Sequence, residues 1–222
     1  MASVILLICA CRAVSFATTS MGVLRGPRAR SSPGDSEPTE SPRTPSKGSV
    51  SINEVASHYR SDGYSVCMEG HHDKEGRSVV YTHGTPLGSM EEMARQIIYL
   101  HERIVADCAR RGRAPAVTTI VNAQSPSFRT PDSNVKAAAK LASSMFPWSA
   151  QGRILFVGVA KHMRPFFKIA AAMTKQEIRI VSREELHEFV DEKHIPAALG
   201  GKAEWNMDRY IERRRLKELA FV

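Results

Sequence analysis

The stretch that decides the fold is Ile154-Leu155-Phe156-Val157-Gly158-Val159-Ala160, in the middle of a pattern running from residue 151 to 201. It is apolar at both sets of alternate positions, as a strand buried on both faces of a parallel sheet requires. Residues 161–174 follow with an apolar face at helical spacing, and Glu177–Val181 alternates like a strand. This order predicts a strand, a crossover helix and a neighbouring parallel strand.

Two capping-box patterns mark helix starts on either side of this unit. Ser89-Met90-Glu91-Glu92 and Ser182-Arg183-Glu184-Glu185 both match S-x-x-E, in which the serine and glutamate satisfy each other's free backbone N–H groups. Apolar residues recur at helical spacing over 89–111, a β-branched run follows at 116–122, and an alanine-rich helix is predicted at 135–146. The fold class is therefore α/β, with a largely parallel sheet and flanking helices.

A β-hairpin precedes these units. Residues 64–69 and 78–82 alternate as strands, and the polar segment between them contains Gly70 and Gly76. The same segment holds His71-His72-Asp73, which we interpret as a solvated loop because neighbouring residues in a turn point apart.

The elements resemble, in this order, the CRAL-TRIO lipid-binding domain, the family of phosphatidylinositol transfer and alpha-tocopherol transfer proteins. Asp73-Lys74-Glu75-Gly76-Arg77 is similar to the family's D-x-x-G-R turn, and Ile195-Pro196-Ala197-Ala198-Leu199-Gly200-Gly201 is similar to its closing segment. The resemblance covers residues 60–201 and implies an apolar cavity closed by a gate helix.

The resemblance also implies which residues form the site. On the cavity floor it places Ile120, Leu155, Val157, Val159, Ile178 and Ile180. The gate helix would present Met163, Phe166, Phe167, Ile169 and Met173, and the lipid head groups of a membrane would contact Arg164 and Lys168. The implied function is binding of a hydrophobic lipid and its transfer between membranes. An amphipathic stripe packed on a sheet without any ligand is the alternative interpretation of the same residues.

Two positions bear on the ligand. Phosphatidylinositol-binding members carry a glutamate after a Tyr-Pro step and a lysine at the start of the strand after the gate. The corresponding residues here are Trp148, after Phe146-Pro147, and Glu177. Because a carboxylate repels a phosphate, phosphatidylinositol is disfavoured as the ligand.

The chain divides into three parts. Residues 1–50 form a leader and linker rich in Ser, Pro and Arg, residues 51–201 the lipid-binding domain, and residues 202–222 a basic C-terminal helix or tail. No acid precedes Asp35, which is typical of a mitochondrial transit peptide, although a disordered leader or a mis-set start has the same composition. We expect a cytoplasmic protein in transient contact with membranes, with a mitochondrial location as the alternative.

Composition limits the partners. The 222 residues carry a formal charge of +8, but residues 49–201 hold nineteen basic and sixteen acidic residues, so the domain itself is only mildly basic. Nucleic-acid binding is not expected without a concentrated basic patch. Four cysteines without disulfide or metal spacing favour a reducing compartment, with Cys67 and Cys108 in the core.

An enzyme is the first rival class. No G-x-S-x-G or phosphate-binding glycine loop occurs, and the histidines are scattered, so no catalytic residue, cofactor or metal is predicted. The second rival is a non-catalytic protein-interaction scaffold on a divergent CRAL-TRIO fold, with residues 205–222 as a docking helix for a protein partner. A solvated charged helix is the alternative interpretation of the same residues.

Overall fold

The computed structural model describes residues 50–129, 133–165, 167 and 176–220, and in this part of the chain it contains one five-stranded sheet. The strands follow chain order across the sheet: β1 (Tyr64–His72), β2 (Ser78–His83), β3 (Val117–Asn122), β4 (Arg153–Val157) and β5 (Glu177–Val181). β1 pairs antiparallel with β2, and the other three pairs are parallel. The predicted α/β fold is confirmed.

Five helices accompany the sheet in the described residues. They are α1 (Ile52–Tyr59), α2 (Met90–Arg110), α3 (Ser133–Met145), α4 (Arg183–Phe189) and α5 (Met207–Leu219). Single 3₁₀ turns cover Pro147–Gln151, Lys161–Met163, Glu192–His194 and Ala197–Leu199.

The predicted capping boxes form at both helices. At α2, the Ser89 hydroxyl accepts a hydrogen bond from the Glu92 N–H at 3.2 Å, and the Glu92 carboxylate accepts one from the Ser89 N–H at 2.8 Å. Ser182 and Glu185 repeat the arrangement at α4. Each box satisfies two backbone donors that a helix start leaves free.

The two faces of the sheet are covered by different elements. Leu155 and Val157 point to one face, which we call the core face, where α1, α4 and α5 pack. Ile154 and Phe156 point to the opposite face, which we call the crossover face. There Leu100 and Ile104 of α2 cover a cluster that includes Cys67, Val80, Cys108 and Val117. Both cysteines are fully buried, as predicted.

The C-terminal helix is part of the core. The ring of Tyr210 in α5 meets that of Tyr59 in α1 edge to face at 5.7 Å. Arg214 is buried, its Nε donates to the Tyr99 hydroxyl at 3.1 Å, and it forms an ion pair with Glu69 at 3.3 Å. The core therefore extends beyond residue 201, where the family resemblance ends.

Two local predictions were wrong. The hairpin turn is shorter than expected, because β1 continues to His72 through an irregular register in which Gly70 has φ 84°. His71 and His72 are consequently half-buried strand residues and not a solvated loop. At the other end of the sheet, β4 stops before Gly158, whose φ of 78° is in the left-handed region.

The closing segment needs its two glycines for different reasons. Gly200 ends the turn at Ala197–Leu199 with φ 88°, a conformation that costs other L-residues about 1–2 kcal/mol. Gly201 has ordinary φ, but a Cβ there would lie 2.1 Å from the Ile195 carbonyl oxygen. The chain returns so closely on itself that only glycine fits.

We expect Gly201→Ala to destabilise the protein more than Gly200→Ala. The first substitution forces backbone apart and should cost about 2–3 kcal/mol, whereas the second meets no atom within 4 Å and costs only the strain of its φ, about 1–2 kcal/mol. Urea unfolding of the two variants measures both costs. Equal stabilities, or a larger loss for Gly200→Ala, would contradict the close approach at Gly201.

Candidate functional site

The crossover face is apolar where the segment after β4 turns back over it. Ile154 and Phe156 of β4 pack there with Ile178 and Ile180 of β5. The Phe167 ring, only 3% exposed, meets the Phe156 ring at 4.7 Å between centroids and 66° between planes. The edge of one ring thus lies against the face of the other, a favourable aromatic geometry.

The predicted gate helix is described only in part. Its start forms a 3₁₀ turn at Lys161–Met163 that continues helically through Arg164 and Pro165. Met163 is half-buried against the crossover face, Phe167 is buried there, and Arg164 is exposed. The remaining predicted residues lie outside the described part of the chain: Phe166, Lys168, Ile169 and Met173.

The six residues predicted for the cavity floor lie on two faces of the sheet. Val159, Ile178 and Ile180 belong to the crossover face. By contrast, Ile120, Leu155 and Val157 are fully buried on the core face. Successive strand residues point to opposite faces, so a single floor has to be built from every second position.

A cavity of about 40 Å³ lies between α2 and the crossover face. Its walls are mostly apolar, with Leu100 and Ile104 from α2 and Val80, Val117 and Ile154 from the strands. The turn at Pro147–Gln151 closes one side, where Ser149 faces the space. Ile154 also belongs to the cluster around Phe156, so the cavity adjoins the apolar surface that Phe167 covers.

His101 of α2 is a polar residue of this cavity that sequence reasoning missed. It is fully buried and stacks on Phe146, with ring centroids 4.7 Å apart and an interplanar angle of 19°. Its Nδ1 donates a hydrogen bond to the Ile97 carbonyl oxygen at 2.7 Å. Burial lowers the pKa of His101 to about 4, so the ring is neutral at physiological pH.

Glu177, whose negative charge argues against phosphatidylinositol as the ligand, forms ion pairs with two arginines. Its carboxylate accepts from Arg153 at 2.8 Å and from Arg179 at 2.9 Å. Burial raises the pKa of Glu177, but the hydrogen bond and charge of Arg153 outweigh burial and hold it below its usual value. Arg153 also pairs with Glu75, so the charges here largely compensate one another.

The D-x-x-G-R turn is organised by Asp73, which is 1% exposed. Its Oδ1 accepts from the backbone N–H groups of Glu75 and Arg77 at 2.9 and 2.8 Å, and its Oδ2 accepts from the Thr118 hydroxyl at 2.6 Å. Arg153 approaches the same Oδ2 at 3.6 Å. A buried charge requires such partners, and here they join the turn to β3 and β4.

Three histidines that are far apart in the sequence meet at the end of β1. The Nδ1 atoms of His71 and His194 are 3.2 Å apart, and the rings of His72 and His194 lie 4.3 Å apart. Burial, together with the nearby imidazoles of His72 and His71, lowers the pKa of His194 to about 4. Across the described residues, no group of three or more His, Cys, Asp or Glu side chains is arranged to hold a metal ion.

Comparison with known proteins identifies the family. A family model described as the CRAL/TRIO domain matches residues 61–201, well over half of the chain. The chain belongs to the CRAL/TRIO domain family. The match identifies the family and not a subfamily, and no curated protein matches the chain.

Membership makes binding of a hydrophobic ligand the general expectation for this CRAL/TRIO domain. Domains of the family are generally non-catalytic lipid-binding proteins. Each helix that the structure describes is too short or too polar to cross a bilayer.

We expect stability to fall as the pH drops below about 6.5. His101 and His194 have pKa values of about 4 in the folded protein and about 6.5 when unfolded, so between these pH values the unfolded chain binds more protons. The two histidines make their full contribution to the free energy of unfolding above pH 6.5, and this contribution is lost as the pH falls towards 4. The free energy of unfolding in urea should decrease by roughly 2–4 kcal/mol from pH 7 to pH 5.

His194→Gln should reduce this pH dependence, because it removes one of the imidazole rings whose pKa is lowered by burial. His162 is exposed, and His162→Gln is the matched control, the same substitution at a surface position. Equal slopes for His194→Gln and wild type would show that His194 is not held neutral by its surroundings.

Proposed function

We propose that this CRAL/TRIO domain binds a hydrophobic lipid on the crossover face of its sheet and exchanges it at membranes. The observation that supports this most is the apolar surface around Ile154 and Phe156, which adjoins a cavity and is covered by the segment that begins at Lys161. The core face is filled by α1, α4 and α5, which leaves the crossover face as the side for a ligand.

Binding requires the covering segment to move. The cavity of about 40 Å³ is far below the ~300–1,000 Å³ of small-molecule pockets. Moving the segment after Val159, with Met163 and Phe167, would join the cavity to the apolar surface beneath. Each methylene that a ligand then buries contributes ~0.8 kcal/mol relative to water, but almost nothing relative to a bilayer. Uptake and release are therefore expected at the membrane.

The start of the covering segment suits contact with a membrane. Lys161 and Arg164 are exposed, and Lys168 follows in the sequence. Each basic residue close to an anionic leaflet contributes about 1 kcal/mol. We place the membrane-contacting surface at Lys161 and Arg164, close in sequence to Phe167, which has to leave its contact with Phe156.

Phosphatidylinositol remains a disfavoured ligand in this proposal. Glu177 stands where phosphatidylinositol-binding members have a lysine, and Arg153, which could otherwise attract a phosphate, is paired with Glu177 and Glu75. A phosphate would have to displace two carboxylates to reach this guanidinium.

A protein-interaction scaffold is the second candidate function, and it rests on α5. Leu216 and Leu219 are 61% and 72% exposed near the end of this helix, beside the exposed basic residues Arg213 and Lys217. Such a surface suits an acidic, partly apolar partner.

Lipid extraction separates the two functions. The protein is purified from a foreign host, extracted with organic solvent and analysed by mass spectrometry. A stoichiometric lipid supports the carrier, whereas an empty, cooperatively folded protein favours the scaffold.

We expect Phe167→Ala to accelerate lipid exchange. The substitution removes the ring that closes on Phe156, so the covering segment loses an aromatic contact worth ~0.5–1.5 kcal/mol beyond its buried area. Transfer of a pyrene-labelled lipid between vesicles measures the exchange rate.

Phe128→Ala is the matched control. Its ring lies 6.5 Å from Phe156 in the same cluster, but it belongs to the loop after β3 and not to the covering segment. Phe128→Ala should lower the melting temperature without accelerating transfer. If Phe167→Ala unfolds the protein, or if the two variants exchange lipid equally, the segment is core and not a gate.

A further inference from the structure

One residue that lines the cavity under α2 has a buried hydrogen-bond acceptor without a partner. The Nδ1–H of His101 is used by the Ile97 carbonyl oxygen, which can only accept, so the neutral ring carries its free lone pair on Nε2. Among the described residues, Nε2 has no hydrogen-bond partner although His101 is fully buried and lines the cavity. A buried polar atom left in this way is unfavourable, and a ligand that donates a hydrogen bond to it would remove that cost.

A second unpartnered polar atom belongs to another residue that lines this cavity. Ser149 is 2% exposed, it lines the cavity, and its hydroxyl makes no hydrogen bond within the part of the chain that the structure describes. A hydroxyl can both donate and accept. His101 Nε2 and Ser149 Oγ together offer one acceptor and one group of either kind, which is the complement of an alcohol.

We propose that the cavity receives the hydroxyl head of an uncharged lipid alcohol. This hydroxyl donates a hydrogen bond to His101 Nε2 and accepts one from the Ser149 hydroxyl. This deepens the proposed function and rests on it. The cavity volume of about 40 Å³ suits a hydroxyl and the carbons next to it, since one water occupies roughly 10–15 Å³ on this measure. The chain would continue past Ile154 onto the apolar surface at Phe156.

The same geometry rejects anionic heads. A carboxylate or phosphate has no proton to donate and would direct its charge at the lone pair of Nε2. Arg153 also lines the cavity, but its guanidinium already pairs with Glu177 at 2.8 Å and with Glu75. Fatty acids and phospholipids should therefore bind more weakly than the alcohol of the same chain length.

The rigidity of the acceptor makes the preference specific. The stack on Phe146 and the hydrogen bond to Ile97 fix the orientation of the His101 ring, and Trp148 lies against it at 5.4 Å between ring centroids. The polar head of a ligand therefore meets the His101 Nε2 acceptor in one fixed orientation. Trp148 also provides an intrinsic fluorescent reporter next to the site.

The test compares three ligands of equal chain size: decan-1-ol, its isomer 1-methoxynonane, which accepts but does not donate, and decanoate at pH 8. Tryptophan fluorescence titration of the full chain measures the affinities. Wild type should bind the alcohol about tenfold more tightly than the ether or the carboxylate. His101→Phe keeps the stacking and removes the acceptor, so it should weaken alcohol binding about three- to tenfold and leave ether binding unchanged.

His101→Gln is the rescue variant, because its amide oxygen can accept in place of Nε2, and part of the preference for the alcohol should return. If none of the three ligands binds to wild type, the proposed function fails. If all three bind equally, or if His101→Phe keeps the preference, the function stands and the alcohol site is wrong. Should His101→Phe not fold, equal affinity of wild type for alcohol and ether is by itself sufficient to overturn the site.

Discussion

A largely parallel sheet has two apolar faces, and each face has to be covered for the protein to fold. In β4, Leu155 and Val157 point to the core face while Ile154 and Phe156 point to the crossover face. The coverings differ: α1, α4 and α5 pack over the core face, whereas Met163 and Phe167 lie over part of the other. This difference is the physical basis for assigning the ligand to one side.

Buried polar side chains connect the turn between β1 and β2 to strands β3, β4 and β5. Asp73 joins the first turn to β3 through Thr118, and Arg153 extends the connection across β4 to Glu177. These groups are hydrogen-bonded or ion-paired, as buried charges must be. His101 differs because one of its two ring nitrogens has a partner and the other has none in the described residues. His101 and Ser149 each have a buried polar atom without a partner in the described residues and line the same cavity, and a bound polar group would account for both.

Sequence patterns predicted the elements better than their contacts. The continuous apolar run from Ile154 and the S-x-x-E boxes depend on local chemistry, so the existence of β4, α2 and α4 was predicted correctly, although β4 ends at Val157. The floor residues were grouped from the family resemblance, which does not give the register of β4 against β5. Ile154, and not Leu155, pairs with Ile178, so Leu155 and Ile178 point to opposite faces. The role of His71 depends on His194, 123 positions away, and that of His101 on Phe146. Such distant pairings leave no mark on local periodicity.

The central claim is that the ligand lies on the crossover face, and photo-crosslinking tests it most directly. The protein is loaded with a long-chain lipid that carries a diazirine along the chain, irradiated, digested and mapped by mass spectrometry. The account predicts adducts on residues of the crossover side, such as Leu100, Ile154 and Phe156. Adducts concentrated on α1 and α5, which cover the core face, would contradict it.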